Sequence, residues 1–311
     1  MHRAQRKRGL SPIVFRYSFG RGGGTLDANF WLIQTFNGVS YGALLFLLAS
    51  GLTLIFGVMR IVNLSHGAYF LLGGYVAITV MRASGSWLLA LPIAALAIAL
   101  VGLFVERVFL RPLGFDPLRQ VLLTVGFAFL FQQAALDIWG GDNLIIQPPP
   151  ALRYSVVVGG LHLPVYRIFM IALACAIGLA LWFAMERTRI GAMVRATVDD
   201  AEMARGIGID TSRVSMFIFA LGAFLAALGG VIGGAFLGIY PGLDFEVLPV
   251  AFAVVIIGGM GSLAGAAIGS MLVGLADNFG KALFPEIAYF SLYAPMVLIL
   301  AMKPTGLLGR E

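Results

Sequence analysis

The charged residues between positions 186 and 213 form the part of this sequence best equipped for specific recognition. Five acidic and five basic side chains fall there: Glu186, Arg187, Arg189, Arg195, Asp199, Asp200, Glu202, Arg205, Asp210 and Arg213. Uncharged runs of 18 residues (168–185) and 30 residues (214–243) flank them directly. Because its charge is balanced and it lies between two membrane-length runs, this stretch, which we call the charged segment, indicates contact with a soluble protein.

Residue spacing predicts one amphipathic helix of about three turns inside the charged segment. Apolar residues share one face of it: Val194, Val198, Ala201 and Ala204. Charged residues share another face: Arg195, Asp199 and Glu202. The first two of these have the i,i+4 spacing of an ion pair, and Gly206 and Gly208 predict the end of the helix. The helix could simply rest on lipid, but such helices usually have a Lys/Arg-rich polar face. This one has more acid than base, which favours a protein partner.

The composition is that of a polytopic membrane protein. Hydrophobic residues make up 60% of the 311 residues and charged residues 12%, whereas soluble domains carry about 25% charged residues. The net charge of +6 equals the number of basic residues among the first 21. A basic N-terminal arm (1–27) beside anionic lipid explains this charge without nucleic acid. No phosphate-binding G-x-x-x-x-G-K-[ST] string occurs, and three scattered histidines with one cysteine predict no metal, no cofactor and no catalytic site.

Charge-free runs predict an all-α, polytopic transmembrane helical bundle, formed by a single domain over 28–311. The runs are 28–59, 61–81, 83–105, 120–136, 168–185, 214–243, 247–276 and 287–302. Basic residues concentrate in 106–119, in the charged segment and at the C-terminal end, which places these stretches in the cytoplasm. Residues 240–246 contain two acids and no base, so we expect them outside, together with the loop 139–165. We expect the basic N-terminus to lie in the cytoplasm as well. This requires that one of the first three runs does not cross, and we expect this to be the second run.

Two of these runs contain glycines and polar residues that predict broken or re-entrant segments. The second run opens with Asn63, Ser65, His66 and Gly67 and is interrupted again at Gly73-Gly74. The run 247–276 is interrupted by a similar set: Gly259, Gly261, Ser262 and Gly265. Paired interruptions of this kind point to a translocation pathway, because irregular backbone at membrane depth must be buried in protein or line a water-filled cavity. Two plainer interpretations stay open: the small residues permit close helix packing, and the polar ones cap a half-helix.

The charged segment also resembles a known motif. Residues 200–206 (DAEMARG) are similar to the EAA loop of ABC importer permeases, with Asp200 for Glu, Glu202 for the second Ala and no Leu-Pro afterwards. Further strings, in order along most of the chain, resemble LivH-type permeases of branched-chain amino acid importers. They are 36–42 (FNGVSYG), 57–67 (GVMRIVNLSHG), 106–112 (ERVFLRP), 189–195 (RIGAMVR), 204–210 (ARGIGID), 258–265 (GGMGSLAG) and 304–309 (PTGLLG). The basic first 25 residues lie outside the resemblance.

The resemblance implies a permease subunit in the inner membrane that hydrolyses no ATP itself. It implies four kinds of partner: a second, LivM-type permease, two ATP-binding subunits of LivG/LivF type, a periplasmic or surface-anchored binding protein, and membrane lipid. The residues expected to contact the ATP-binding subunits are Arg195, Asp199, Asp200, Ala201, Glu202, Arg205 and Gly206. An ion-coupled secondary transporter of small solutes is the alternative. It would bury ionisable residues at mid-membrane, whereas nearly every charge here falls at the edge of a run.

Overall fold

The computed structural model describes residues 28–114 and 116–309, so the basic arm 1–27 lies outside the described residues. Eleven α-helices occur in this part of the chain: α1 (Ala28–Met59), α2 (His66–Ser84), α3 (Trp87–Val105), α4 (Pro117–Trp139), α5 (Val165–Arg187), α6 (Arg189–Asp199), α7 (Ala201–Gly206), α8 (Thr211–Gly233), α9 (Leu243–Gly258), α10 (Leu263–Leu283) and α11 (Ala288–Met302). A π-helical turn (Glu106–Leu110) and a 3₁₀ turn (Arg111–Leu113) extend α3. Two further 3₁₀ turns are Pro150–Leu152 and Pro285–Ile287. One antiparallel hairpin, β1 (Ser155–Val158) with β2 (Leu161–Pro164), precedes α5.

Six helices are long and apolar enough to cross a membrane, which confirms the predicted polytopic helical bundle. They are α1, α3 with its extension, α4, α5, α8 and α10. α1 and α8 lie at the centre, since half of the residues of α1 and most of those of α8 are buried. By contrast, α3, α4, α5 and α11 present apolar side chains outward. Glycines let the central helices approach: a Cβ on Gly51 of α1 would lie 2.7 Å from the carbonyl oxygen of Gly222 on α8.

The first non-helical segment covers residues 60–65, between α1 and α2. The interruption predicted at Gly73-Gly74 is wrong, because α2 is continuous through both glycines. These glycines serve close packing instead. A Cβ on Gly73 would lie 2.5 Å from the Cα of Ala227 on α8, and one on Gly74 would lie 2.4 Å from the Cδ1 of Ile239.

The second non-helical segment covers residues 259–262, between α9 and α10. Gly259 and Gly261 have φ angles of 99° and 82°, in the left-handed region that favours glycine. A Cβ on Gly57, near the end of α1, would lie 3.2 Å from the Cα of Gly261. The second segment therefore lies beside the last turn of α1, just before the first segment begins.

Contacts at the two ends of α1 fix its direction relative to the charged segment. At the Met59 end, Arg60 Nη2 donates to the carbonyl of Val198, inside the charged segment, at 3.4 Å. Near the other end, Arg167 at the start of α5 donates to Asn37 Oδ1. The start of α1 therefore lies on the side opposite the charged segment. The prediction that both lie on the cytoplasmic side is wrong, because α1 passes through the whole bundle before residues 60–65 lead into α2.

Candidate coupling surface and translocation site

The charged segment folds as two short helices that meet at Asp200. Asp200 has an extended backbone (φ −152°, ψ 102°), and its Oδ1 accepts hydrogen bonds from the N–H groups of Glu202 and Met203, both at 2.9 Å. The single helix predicted across this position is therefore wrong. Asp competes with a helix by bonding to the backbone locally, so it caps α7 rather than continuing α6.

The apolar face predicted for the charged segment lies against the bundle. Val194 and Ala204 are buried, and Val198 and Ala201 are half-buried. Val194 and Val198 belong to a cluster that includes Leu54 of α1, Val214 of α8 and Leu263 of α10. The charged segment therefore packs on three helices of the bundle. One of its contacts there is Leu263, the first residue of α10 after the second non-helical segment.

The residues expected to meet a partner lie mostly on the outer face. Asp199, Asp200, Glu202, Arg205 and Gly206 are exposed. Arg195 is half-buried, donates to the carbonyl of Met185 and lies 3.9 Å from Glu186. Its ion pair with Asp199 stays a prediction.

The structure also corrects the role expected of Gly206. Gly206 is still helical, whereas Gly208, with φ 90°, has the left-handed conformation found just beyond helix ends.

Two apolar side chains of this outer face were missed by the sequence analysis. Met203 is 65% exposed and Ile207 is 70% exposed. They lie one helical turn apart, and the N–H of Ile207 donates to the carbonyl of Met203 at 3.1 Å. Both could have been identified from the sequence, because they are large apolar residues that fall outside the apolar face of the predicted helix. An apolar pair among charged residues has the composition of a protein interface, which has an apolar centre and a polar rim.

Arg60 joins the charged segment to the first non-helical segment. Its φ of 54° is the only left-handed value at a non-glycine among the described residues. Such a conformation costs about 1–3 kcal/mol and persists where surrounding contacts enforce it. Here the side chain reaches the carbonyl of Val198, while the backbone N–H of Arg60 still bonds to the carbonyl of Phe56 at 2.8 Å.

Asn63 and Ser65 of the first non-helical segment and the adjacent His66 of α2 are fully buried. Asn63 Oδ1 accepts hydrogen bonds from the Ser65 N–H at 3.1 Å and from Ser65 Oγ at 2.7 Å. His66 Nε2 lies 2.9 Å from the carbonyl of Leu48 and therefore carries the proton. Asn63 Nδ2 and His66 Nδ1 have no hydrogen-bond partner among the described residues. Hydrogen bonds therefore satisfy three of the five side-chain polar atoms of Asn63, Ser65 and His66.

The start of α2 lies deep in the bundle. His66 sits beside Leu48, eleven residues before the end of α1 at Met59. At a rise of about 1.5 Å per residue this is roughly 16 Å, or half of a hydrocarbon core about 30 Å thick. The described part of the chain thus contains a helix that begins within the membrane, where irregular backbone needs protein or water around it.

The predicted residues of the second segment have structural partners. Ser262 Oγ caps α10 by accepting from the Gly265 N–H at 3.0 Å. A Cβ on Gly265 would lie 2.1 Å from the carbonyl oxygen of Gly258, and one on Gly259 would lie 2.2 Å from the nitrogen of Gly309. Gly261 is exposed. Helix packing and capping account for these contacts. The second non-helical segment lies roughly 14 Å from His66, measured along α1.

One buried residue near the first segment was also missed. Asp244, in the first turn of α9, is only 2% exposed. A Cβ on Gly67 would lie 2.4 Å from its carbonyl oxygen, so the first turns of α2 and α9 are in contact. From the sequence, positive-inside reasoning places this acid in an external stretch, because residues 240–246 contain two acids and no base. Within residues 28–114 and 116–309, no group of three or more His, Cys, Asp or Glu could hold a metal ion.

An apolar groove of about 420 Å³ lies along α9. Its walls come from α4, α9 and α11, together with Leu64 of the first non-helical segment. Leu248 lines the groove and would lie 3.1 Å from a Cβ on Gly67. The groove therefore adjoins the contact between α2 and α9.

Comparison with known proteins gives a consistent result. The family model described as branched-chain amino acid transport system / permease component matches residues 34–302. The high-affinity branched-chain amino acid permease protein LivH of Salmonella typhimurium is 31% identical over 301 residues, which cover 90% of this chain and 96% of LivH. BraD of Pseudomonas aeruginosa, with the same description, is 29% identical over 300 residues, with the same two coverages of 90% and 96%.

A more distant relative has a different named cargo. The autoinducer 2 import system permease protein LsrC of Yersinia pseudotuberculosis is 27% identical over 265 residues, 82% of this chain and 72% of LsrC. No solved structure matches. Because the family model covers most of the chain and relatives align along nearly all of it, this multi-pass membrane protein belongs to the family of permease components of branched-chain amino acid transport systems.

Proposed function

We propose that this chain is the permease subunit of an ATP-driven ABC importer that moves branched-chain or similar small amino acids across the cell inner membrane. The names of LivH and BraD support the cargo class. The observation that carries the coupling role is the charged segment: its inner face is anchored on α1, α8 and α10, and its outer face exposes Met203 and Ile207 among charged residues.

The outer face of the charged segment is the docking site for an ATP-binding subunit. Met203 and Ile207 supply the apolar centre of this surface, and the charged rim consists of Asp199, Asp200, Glu202 and Arg205. Two ATP-binding subunits of LivG/LivF type hydrolyse ATP, and this chain carries no catalytic residue. A LivM-type permease pairs with this chain, and a periplasmic or surface-anchored binding protein delivers the cargo.

Motion of the charged segment reaches the pathway through two contacts. Val194 packs in the cluster that contains Leu263, directly after the second non-helical segment. Arg60, at the start of the first non-helical segment, bonds to Val198. When the ATP-binding subunits close, a shift of α6 and α7 is therefore transmitted to both non-helical segments. Asn63, Ser65, His66 and Gly67 line the pathway, and Gly259, Gly261, Ser262 and Gly265 permit its walls to move.

Ion-coupled secondary transport is the second candidate, and one observation favours it. Intramembrane acids are typical of proton and sodium pathways, and Asp244 is buried beside α2. The strings shared with ABC permeases favour the first candidate.

Reconstitution separates the two candidates. In vesicles, leucine uptake is expected to require ATP, both ATP-binding subunits and the binding protein, and omission of any one should abolish it. Uptake by this chain alone, driven by a proton or sodium gradient, would contradict the importer assignment.

A further inference from the structure

Unpartnered polar groups concentrate where the first turns of α2 and α9 meet. Nine buried side-chain N and O atoms have no hydrogen-bond partner among the described residues. Asn63 Nδ2 and both carboxylate oxygens of Asp244 belong to this set and come from the two contacting helix starts. His66 Nδ1 also belongs to it, but the His66 ring lies against Leu48 and Gly51 of α1. Buried polar groups are normally hydrogen-bonded. Several unpartnered polar atoms at the contact between α2 and α9 therefore indicate that a bound ligand pairs with them.

Asp244 is a buried carboxylate without a cationic partner among the described residues. The backbone N–H groups of Gly242 and Phe245 lie near it at the N-terminus of α9, where the helix dipole favours negative charge. Within the described residues, the ion pairs join other acids to Arg or Lys, and none includes Asp244. The buried hydroxyl of Tyr75 on α2 also has no hydrogen-bond partner among the described residues.

The apolar groove supplies the second half of a site. Leu248 lies one turn after Asp244 and lines the groove, as do Leu64, Phe245, Phe252 and Ile256. These side chains are aliphatic or aromatic and offer no charge. A volume of about 420 Å³ falls within the range of roughly 300–1,000 Å³ found for small-molecule sites. A single ligand that reaches both parts must combine a cationic head with a short apolar side chain.

We propose that Asp244 binds the primary ammonium group of the cargo, with the aliphatic side chain of the cargo in the groove beside Leu248. This inference rests on the proposed function, because it assigns the cargo a site within the permease. Asn63 Nδ2 is an unpartnered donor at the start of α2, and it suits the carboxylate of a zwitterion.

The test measures protection of a single cysteine in the groove. Membrane vesicles that contain the complete importer carry Leu64→Cys in a Cys175→Ala background, and maleimide labelling is followed without nucleotide. At about twice the dissociation constant, leucine and 3-methylbutylamine are each expected to slow labelling about threefold by mass action. 4-Methylpentanoate, which has the branched chain and the carboxylate but no ammonium group, is expected to leave the rate unchanged.

Two variants assign the effect to Asp244. Asp244→Asn keeps the shape, removes the charge and is expected to abolish protection by the amine. Asp277→Asn is the matched control, because Asp277 is another buried acid but is already paired with Lys281 at 2.6 Å; it should keep protection. Asp244→Glu, which retains the charge, should keep part of it.

Four results would overturn the proposal. These are equal protection by 4-methylpentanoate, undiminished protection in Asp244→Asn, loss of protection in Asp277→Asn alone, or protection by sodium ions without any amine. The amine-to-carboxylate comparison uses the unchanged Asp244, so it stays informative if Asp244→Asn does not insert. Labelling needs no ATP, so failure of ATP-driven uptake would count against the proposed function and not against this site.

Discussion

Truncation of the exposed apolar pair Met203 and Ile207 is expected to weaken docking of the ATP-binding subunit without weakening the fold. Burying a whole Met or Ile side chain is worth about 1.5–3 kcal/mol. Since 65% of Met203 and 70% of Ile207 is exposed, docking can gain roughly 1–2 kcal/mol from each side chain. The double variant Met203→Ala/Ile207→Ala should therefore lose about 2–4 kcal/mol, or roughly 30- to 1,000-fold in affinity.

The assay is a titration of purified ATP-binding subunits onto lipid nanodiscs that hold the permease subunits. Ile138→Ala is the matched control, because Ile138 is 67% exposed at the far end of α4. Ile138→Ala should change the affinity for the ATP-binding subunits by less than about twofold. In both the control and the double variant, the free energy of unfolding should change by no more than about 0.5 kcal/mol. Unchanged affinity in the double variant, or an equal loss in Ile138→Ala, would refute the assigned surface.

Three further predictions concern the links between the charged segment and the bundle. Arg60→Gly keeps the left-handed backbone but removes the bond to Val198, so uptake should fall while ATP hydrolysis persists; normal uptake in this variant would show that only the backbone of Arg60 matters. Gly208→Val places a β-branched residue in a left-handed conformation, at a cost of about 1–3 kcal/mol. It should therefore reduce recruitment of ATP-binding subunits, measured as pull-down yield, more than Gly206→Val does. The reverse order would contradict the assigned helix end. In a cysteine-free background Ser262→Cys should label in the resting state and Ser65→Cys only in a nucleotide-dependent state; labelling of Ser65→Cys at all times would contradict its burial.

Hydropathy and charge were sufficient to predict the helical bundle and the position of the charged segment. These features depend on long stretches of sequence, because about 20 apolar residues are needed to cross a bilayer. Details set by one or two side chains were not predicted. Asp200 ends one helix and caps the next through its own backbone contacts, and a period of 3.6 residues cannot reveal this because the apolar spacing continues across the break.

Glycine was the most ambiguous residue type in the sequence. Gly73 and Gly259 each belong to a Gly-Gly pair within an apolar run. Gly73 nevertheless lies inside a continuous helix against Ala227, whereas Gly259, with φ 99°, follows the end of a helix. The difference depends on which helix packs opposite, which is a tertiary contact. Asp244 was missed for a related reason: its burial comes from the return of α9 against α2, and the local sequence favours an external loop.

The measurement that tests the account most directly is leucine uptake by vesicles that contain the complete importer, with ATP and the proton gradient varied independently. At constant ATP, uptake should survive collapse of the proton gradient, and removal of ATP should abolish it with the gradient intact. This result is expected from the proposed coupling of the bundle to ATP-binding subunits through the charged segment. Uptake that persists without ATP and stops when the proton gradient collapses would contradict the account.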